Sequence, residues 1–414
     1  MEGPAGHRSL TKKSGVLLGL ETALQNPYQD DAGKMFIMAG IRFIHSSDLH
    51  LGKPFGRFDE DVRTDLRKAR DESISALINA AKTHRVKHIL LAGDTFDQET
   101  PSPRLIRQTI TTMAEAAHVH WWIIPGNHDS LTADLIWRVF SERAAENVHV
   151  LRDDTPVAMM DNAYLLPAPC PRRAPGFDLT EAMAHKETPG DAFRIGLAHG
   201  GVVDFRPDEP SADTIPPDRA ERANLDYLAL GDWHGTLRIT QRTHYSGAPE
   251  RDRFKHAGHG SCLLVSLDTP GSTPEISPIQ IGKYDWQELD LPLSPGLDAV
   301  SSLMALLPTD RGKWRNTLIK LHLRGYAHLD QRMALMDRIH EIMPEFCHFE
   351  HSDQNLHTEY QPNDLEQIAR GGALRIAAEA LKDEADDSDL SQPDRDIADA
   401  ALARLYSLVK ETAQ

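Results

Sequence analysis

Five short segments in the first 234 residues place oxygen and imidazole side chains where the pattern suggests a strand has just ended. They are Ser47-Asp48-Leu49-His50, Gly93-Asp94-Thr95-Phe96-Asp97, Gly126-Asn127-His128-Asp129, His199-Gly200-Gly201 and Gly231-Asp232-Trp233-His234. A hard donor set of this kind suits manganese, iron or zinc, and it contains none of the thiolates that mark a structural zinc site. Two such cations sharing a carboxylate are a device for splitting phosphate esters. Asp48 and His50 stand two apart, so on an extended segment they point the same way and share one ion. Asp94, at the tip of the next strand, is short enough for its two oxygens to span two ions. Asn127 offers a neutral carbonyl oxygen, and His199 and His234 offer imidazoles. His128, beside a ligand but itself free, is placed to give a proton or a hydrogen bond to a leaving oxygen. Asp97 is placed to orient that ring. Singly, each segment is no more than a turn or a strand end; their order along the chain carries the reading.

The elements that must position them alternate. Ile41-Arg42-Phe43-Ile44 opens the first core strand, and Asp59 to His84 carries a helical apolar stripe through Leu66, Ile74, Leu77 and Ala81. His88 to Ala92 is a buried strand, Pro103 opens a second helix, and Val119 to Ile124 is a strand stopped by Pro125-Gly126. This β-α-β-α-β order implies a sheet with parallel elements under helices, and ligands gather beyond the carboxyl ends of such strands. From Asn147 to Ile281 short strands dominate, interrupted by a proline-rich surface insertion at Pro167–Pro189 and a further loop at Pro207–Pro217. The expected organisation is an extension over 1–39, a catalytic domain over 40–282, a small α/β module over 283–380, and an acidic linker with a closing helix over 381–414. In that helix, Asp394–Glu411, Ile397, Ala401, Leu405, Leu408 and Val409 are read as one apolar face.

Composition bounds the rest. The 414 residues suffice for two or three domains. No stretch reaches the ~18 apolar residues of a membrane span, and the apolar run at Gly15–Leu20 lacks the marks of a secretory signal. Three scattered cysteines fit a reducing cytoplasm and no disulfide framework. The 45 basic against 62 acidic residues leave a net charge of −17, which is awkward for a protein that handles a polyanion. Metal ions offset part of it, and nine acidic against four basic residues from Leu381 onward place some of the excess in the tail. Arg57, Arg251, Arg253 and Lys255 lie near the motifs in sequence and are candidates for phosphate contact, although surface arginine is common.

The ordered motifs resemble those of the calcineurin-like metallophosphoesterases. Ile44 to Gly52, Ala92 to Asp97 and Tyr245 to Glu250 are most similar to the DNA-repair exonuclease (SbcD-like) branch. The likeness covers residues 40–280 well and the following module more loosely, which looks like that branch's capping domain. It implies a β-sandwich flanked by helices, an αββα architecture of the α/β class, with two divalent metal ions, manganese by family habit. One ion would be held by Asp48, His50, Asp94 and His234. The other would be held by Asp94, Asn127, His199 and position 232, with His128 as the catalytic imidazole. It also implies DNA as substrate and an SMC-like ATPase as partner, and leaves a homodimer open.

One departure stands out, because the family pattern ends Gly-His-x-His and this chain has Asp232 in place of the first histidine. A carboxylate is a competent ligand for manganese or magnesium, so retained ligation is the expectation. The alternative is that Asp232 points away and the second ion is weak. Two rival functions follow: a phosphodiesterase acting on small nucleotides, or a weakly active regulatory subunit of an ATPase complex.

Overall fold

Short apolar runs flanked by turn residues become buried strands here because both of their faces are covered. The computed structural model describes residues 27–29, 35–37, 40–202, 214–359 and 372–412, and contacts divide the chain into Met1–Gly40 and Ile41–Gln414. In the first unit β1 (Pro27–Gln29) and β2 (Met35–Ile37) pair antiparallel. The rest of the extension read at 1–39, and most of the loop at Pro207–Pro217, lie outside the described residues.

The second unit begins with β3 (Ile41–Ser46), β4 (His88–Ala92), β5 (His120–Ile124) and β6 (Val148–Val150), all parallel. It continues with β7 (Val157–Met160), β8 (Ala163–Ala168), β9 (Phe193–His199), β10 (Tyr227–Gly231), β11 (Leu237–Arg238) and β12 (Thr243–Tyr245). These six form a second sheet in the order β11-β12-β10-β9-β8-β7, and its inner strands β8, β9, β10 and β12 run parallel. Long strands β13 (Gly258–Leu267), β14 (Glu275–Leu293), β15 (Thr317–His328) and β16 (His348–Glu359) extend the first sheet to eight, in the order β16-β15-β14-β13-β3-β4-β5-β6.

Alternation along β4 shows why the two sheets stack. Leu90 and Ala92 face an inter-sheet core with Phe43, Trp122, Ile195, Leu197 and Tyr227. Ile89 and Leu91 face the opposite way, onto Leu77, Ala81, Ile110, Ile136 and Trp137 from the helices of residues 60–143. The second sheet buries its outer face under Ala220, Ala223 and Met183. The result is the expected α/β sandwich of two sheets with helices outside.

Three elements differ from their sequence reading. The stripe from Asp59 to His84 is two helices, Glu60–Asp71 and Ser73–His84, joined at Glu72. The acidic stretch read as a linker from Leu381 is helical to Asp386, inside the helix Ala373–Asp386, because Ala378 and Leu381 pack beside Leu329 and Leu402 while the acids face outward. In the final helix, Gln392–Thr412, the packed face runs through Ala398, Leu402 and Leu405, and Ile397 is 67% exposed. Leu408 and Val409 have no described side chains. The strands of residues 317–359 join the first sheet edge to edge through β14, with helices Ala299–Leu306 and Leu329–Ile342 packed on them around Trp314, Leu321 and Ile339. Among the described residues no helix is long and apolar enough to cross a membrane.

Candidate metal centre

All five segments emerge at the carboxyl ends of strands, three from the first sheet and two from the second, so the crevice between the sheets collects them. Asp48 and His50 follow β3, Asp94 follows β4, and Asn127 and His128 follow β5; His199 ends β9, and Asp232 and His234 follow β10. The loops are tight. Asp48, His50, Asp94 and Asp232 have φ of 55°, 43°, 53° and 100°, the left-handed region that non-glycine residues seldom adopt. Backbone strain of this kind clusters at functional sites, although Phe55, Arg85 and Asn224 outside the group share it. The expectation that Asp48 and His50 sit on an extended segment is therefore corrected, and the left-handed turns bring them together instead. A Cβ on Gly126 would lie 2.2 Å from Asp94 Oδ1, so only glycine lets the two loops touch there.

The site residues converge. Asp48, His50 and His234 form one group of potential ligands, His50, Asp94 and His128 a second, and Asp48, Asp94 and His199 a third. Asp94 is common to two of them: its Oδ2 lies 3.6 Å from His50 Nε2 and 3.4 Å from His199 Nε2, while Oδ1 accepts the His128 backbone N–H at 2.9 Å. Asp48 accepts from Ser47 Oγ at 2.5 Å and from the Asp232 backbone N–H at 3.1 Å. The Asp232 side chain faces the group, with Oδ1 3.2 Å from Asn127 Nδ2 and 3.9 Å from His199 Nε2.

The imidazoles share one orientation. His199 Nδ1 donates to the Ala92 carbonyl (2.8 Å), His128 Nδ1 to the Asp97 carbonyl (2.9 Å), and His234 Nδ1 to Asp252 Oδ1 (3.0 Å). His50 Nδ1 lies 3.3 Å from Asp97 Oδ1. Three rings thus have Nδ1 hydrogen-bonded to an oxygen, which fixes their tautomer, while His50 Nδ1 is buried without a hydrogen bond; the Nε2 atoms of His50, His199 and His234 face Asp48 or Asp94. The Nε2 atoms of His50 and His234 face each other at 3.1 Å. His199 Nε2 and Asn127 Oδ1 are buried with no hydrogen-bond partner. Converging lone pairs and an orphaned amide oxygen are what divalent cations satisfy, so these residues fit the metal ions that the fold implies.

Electrostatics agree. Burial works against an ionised Asp94, yet His199 and His50 outweigh it and hold the carboxyl below its usual range. Burial would lower His199, but Asp94 and Asp48 raise it well above the ordinary imidazole value. The pocket draws positive charge.

Asp97 departs from its expected part. Its carboxylate faces His50 and Lys53 (3.3 Å), and its backbone carbonyl, not the side chain, orients His128. Sequence reading also missed three supports. Asp252 is buried and braces His234; Asp129 accepts from the Gly126 and Phe96 N–H groups at 2.7 and 3.0 Å and so ties the β4 and β5 loops. Burial and the nearby Asp94 push the Asp129 carboxyl up to about 7. Arg70, 1% exposed, donates to the carbonyls of Leu49 and Glu250, joining the β3 loop to the segment that carries Asp252. The available signals were weak: a fourth residue in Gly-Asn-His-Asp, and the charged triplet Arg251-Asp252-Arg253.

The calcineurin-like phosphoesterase family model matches residues 41–261, which is more than half of the chain. The chain is a calcineurin-like phosphoesterase. Among relatives of this phosphoesterase, the SbcD component of the SbcCD nuclease of Escherichia coli K12 is 31% identical over 67% of this chain and 74% of its own length. The corresponding SbcD component of Bacillus subtilis is 24% identical over 74% of this chain and 85% of its own. The metallophosphoesterase YhaO of Bacillus subtilis is 25% identical over 56% of this chain, and the match spans 58% of YhaO. Like its family, this phosphoesterase is a metal-dependent hydrolase of phosphoester bonds, and it falls in the SbcD-like branch.

Proposed function

We propose that this phosphoesterase is a manganese-dependent nuclease that hydrolyses phosphodiester bonds in DNA. The observation that carries the reading is the Asp94 Oδ2 atom set between His50 Nε2 and His199 Nε2, with the ring nitrogens turned inward around it. On this reading Asp48, His50, Asp94 and His234 hold one cation, and Asp94, Asn127, His199 and Asp232 hold the other. Bound there, the ions would polarise the phosphate and supply an activated water.

The chain's own groups do the rest. His128 has Nδ1 fixed by the Asp97 carbonyl, so Nε2 is the atom that gives a proton to the leaving oxygen. Asp252 and the Ala92 carbonyl hold the tautomers of His234 and His199. DNA as substrate draws support from the two relatives named as nuclease components. Those names describe one subunit of a nuclease complex, which supports a partner subunit. On this reading the partner is an SMC-like ATPase, the helix Asp394–Glu411 its docking element, residues 283–380 a capping module, and the cytoplasm the place of action. The test is manganese-supported hydrolysis of linear DNA against a cyclic dinucleotide, with His128→Ala as control. Preferential cleavage of the dinucleotide would replace DNA with a small-nucleotide substrate, and no turnover of either would favour a regulatory role.

A further inference from the structure

Four basic residues lie near the motifs in sequence, and the structure separates them. Arg251 is buried and donates to the His234 carbonyl. The Arg57 guanidinium lies 4.5 Å over the Phe58 ring, and Lys255 Nζ lies 4.8 Å over Trp233. Arg253 differs from all three, because it is clamped onto the support of a cluster imidazole. Asp252 accepts from its Nε at 3.0 Å and from its Nη2 at 3.2 Å, a two-point grip that fixes the guanidinium plane. The Asp252 oxygen that takes Nε also takes His234 Nδ1, and Arg253 Nη2 ends 3.3 Å from that ring. Asp252 is buried, with 1% of its side chain exposed, against 48% for Arg253. Nη1 of Arg253 makes no hydrogen bond among the described residues.

We propose that Arg253 is a specificity-determining residue of this site, gripping a backbone phosphate of a nucleic-acid strand next to the bond being cut. The inference rests on the nuclease reading above. A guanidinium already fixed in plane loses little freedom when it binds an anion, so its open edge is prepared for a phosphate. Lys53 Nζ, 3.1 Å from Asp252 Oδ2, places a second cation on the same carboxylate. Lys53 is shared with Asp97, so the open edge of Arg253 is the cationic donor left for a phosphate here, in a chain whose net charge of −17 as a whole repels a polyanion. A small phosphoester offers only the group that the metal cluster itself would engage. A strand offers a further phosphate, and Arg253 is positioned to read that difference.

The test compares the wild-type chain with Arg253→Gln and Arg253→Lys. Binding of a short labelled single strand is followed by fluorescence anisotropy in EDTA over a range of salt. Turnover with manganese is measured as kcat/KM for that strand and for bis(p-nitrophenyl) phosphate. The glutamine variant should bind the strand on the order of tenfold more weakly at low salt, with a salt slope shallower by about 0.7, and lysine should restore part of both. Its kcat/KM should fall about tenfold further for the strand than for the small diester. An unchanged salt slope, or equal losses on both substrates, overturns the inference, because Arg253 then serves only to hold Asp252 and His234. Wild-type hydrolysis of the small diester with the strand left intact would count against the nuclease reading instead, and the binding measurements would still decide the part of Arg253.

Discussion

Asp94 Oδ2 stands 3.4 Å from His199 Nε2 across the join between two sheets, one residue just past the end of β4 and the other at the end of β9. Neither sheet alone holds all of the proposed ligands. The centre therefore depends on the inter-sheet core of Leu90, Ala92, Leu197 and Ala229 for its geometry as much as on the ligands.

The approach of the β4 and β5 loops is the narrowest part of that geometry. Gly126→Ala would drive a methyl group into Asp94 Oδ1 and the Asp94 backbone nitrogen. We expect a stability loss of about 1–3 kcal/mol, from forced displacement of packed groups, together with loss of hydrolytic activity. Thermal melting and a phosphodiester assay check both; a variant with wild-type melting and activity would show that the loops have room.

Bracing of His234 by Asp252 gives a second expectation. Asp252→Asn keeps the shape and removes the charge that orients the ring. Manganese affinity should fall roughly 10–100-fold with little change in folding. Equal affinity by calorimetric titration would assign Asp252 to Lys53 and Arg253 alone.

His128 is the proposed acid. His128→Gln should lower kcat on the order of 10²–10⁴-fold for a substrate with a poor leaving group. The loss should be smaller for a nitrophenolate, which departs without a proton. Equal losses on the two leaving groups would contradict the assignment.

These expectations also show what could be read in the sequence. The strands ending at Ser46, Ala92, Ile124, His199 and Gly231 were legible because continuous apolar runs give way to Gly, Asp, Asn or His at those points, and the convergence of the five segments follows from parallel order. The left-handed turns at Asp48 and His50 were not legible, since an Asp-x-His triplet fits an extended segment equally well. Asp252 was hidden for a different reason: it reaches His234 through space from 18 residues away. The closing helix misled by one position, because Ile397 continues the apolar spacing yet it is Ala398 that is buried, while Leu329 and Ala378 pack with Leu402.

A pH dependence comes from His45, which is buried with Nδ1 2.9 Å from the Tyr227 hydroxyl and Nε2 3.1 Å from the Leu230 carbonyl. Burial, reinforced by His244, lowers its pKa to about 3. The unfolded chain binds this proton below about pH 6.5 and the folded chain does not. Stability is thus present above about pH 6.5 and lost progressively as pH falls toward about 3, by up to ~2–4 kcal/mol from this residue. The melting temperature should drop less between about pH 7.5 and about pH 5 in His45→Asn than in the wild type; parallel curves would exclude His45 as a source.

The most direct measurement is a calorimetric titration of the metal-stripped chain with manganese. The account predicts two equivalents bound in the wild type and a sharp loss of binding at both positions in Asp94→Asn. A chain that takes up no manganese, or whose binding is untouched by Asp94→Asn, would contradict it.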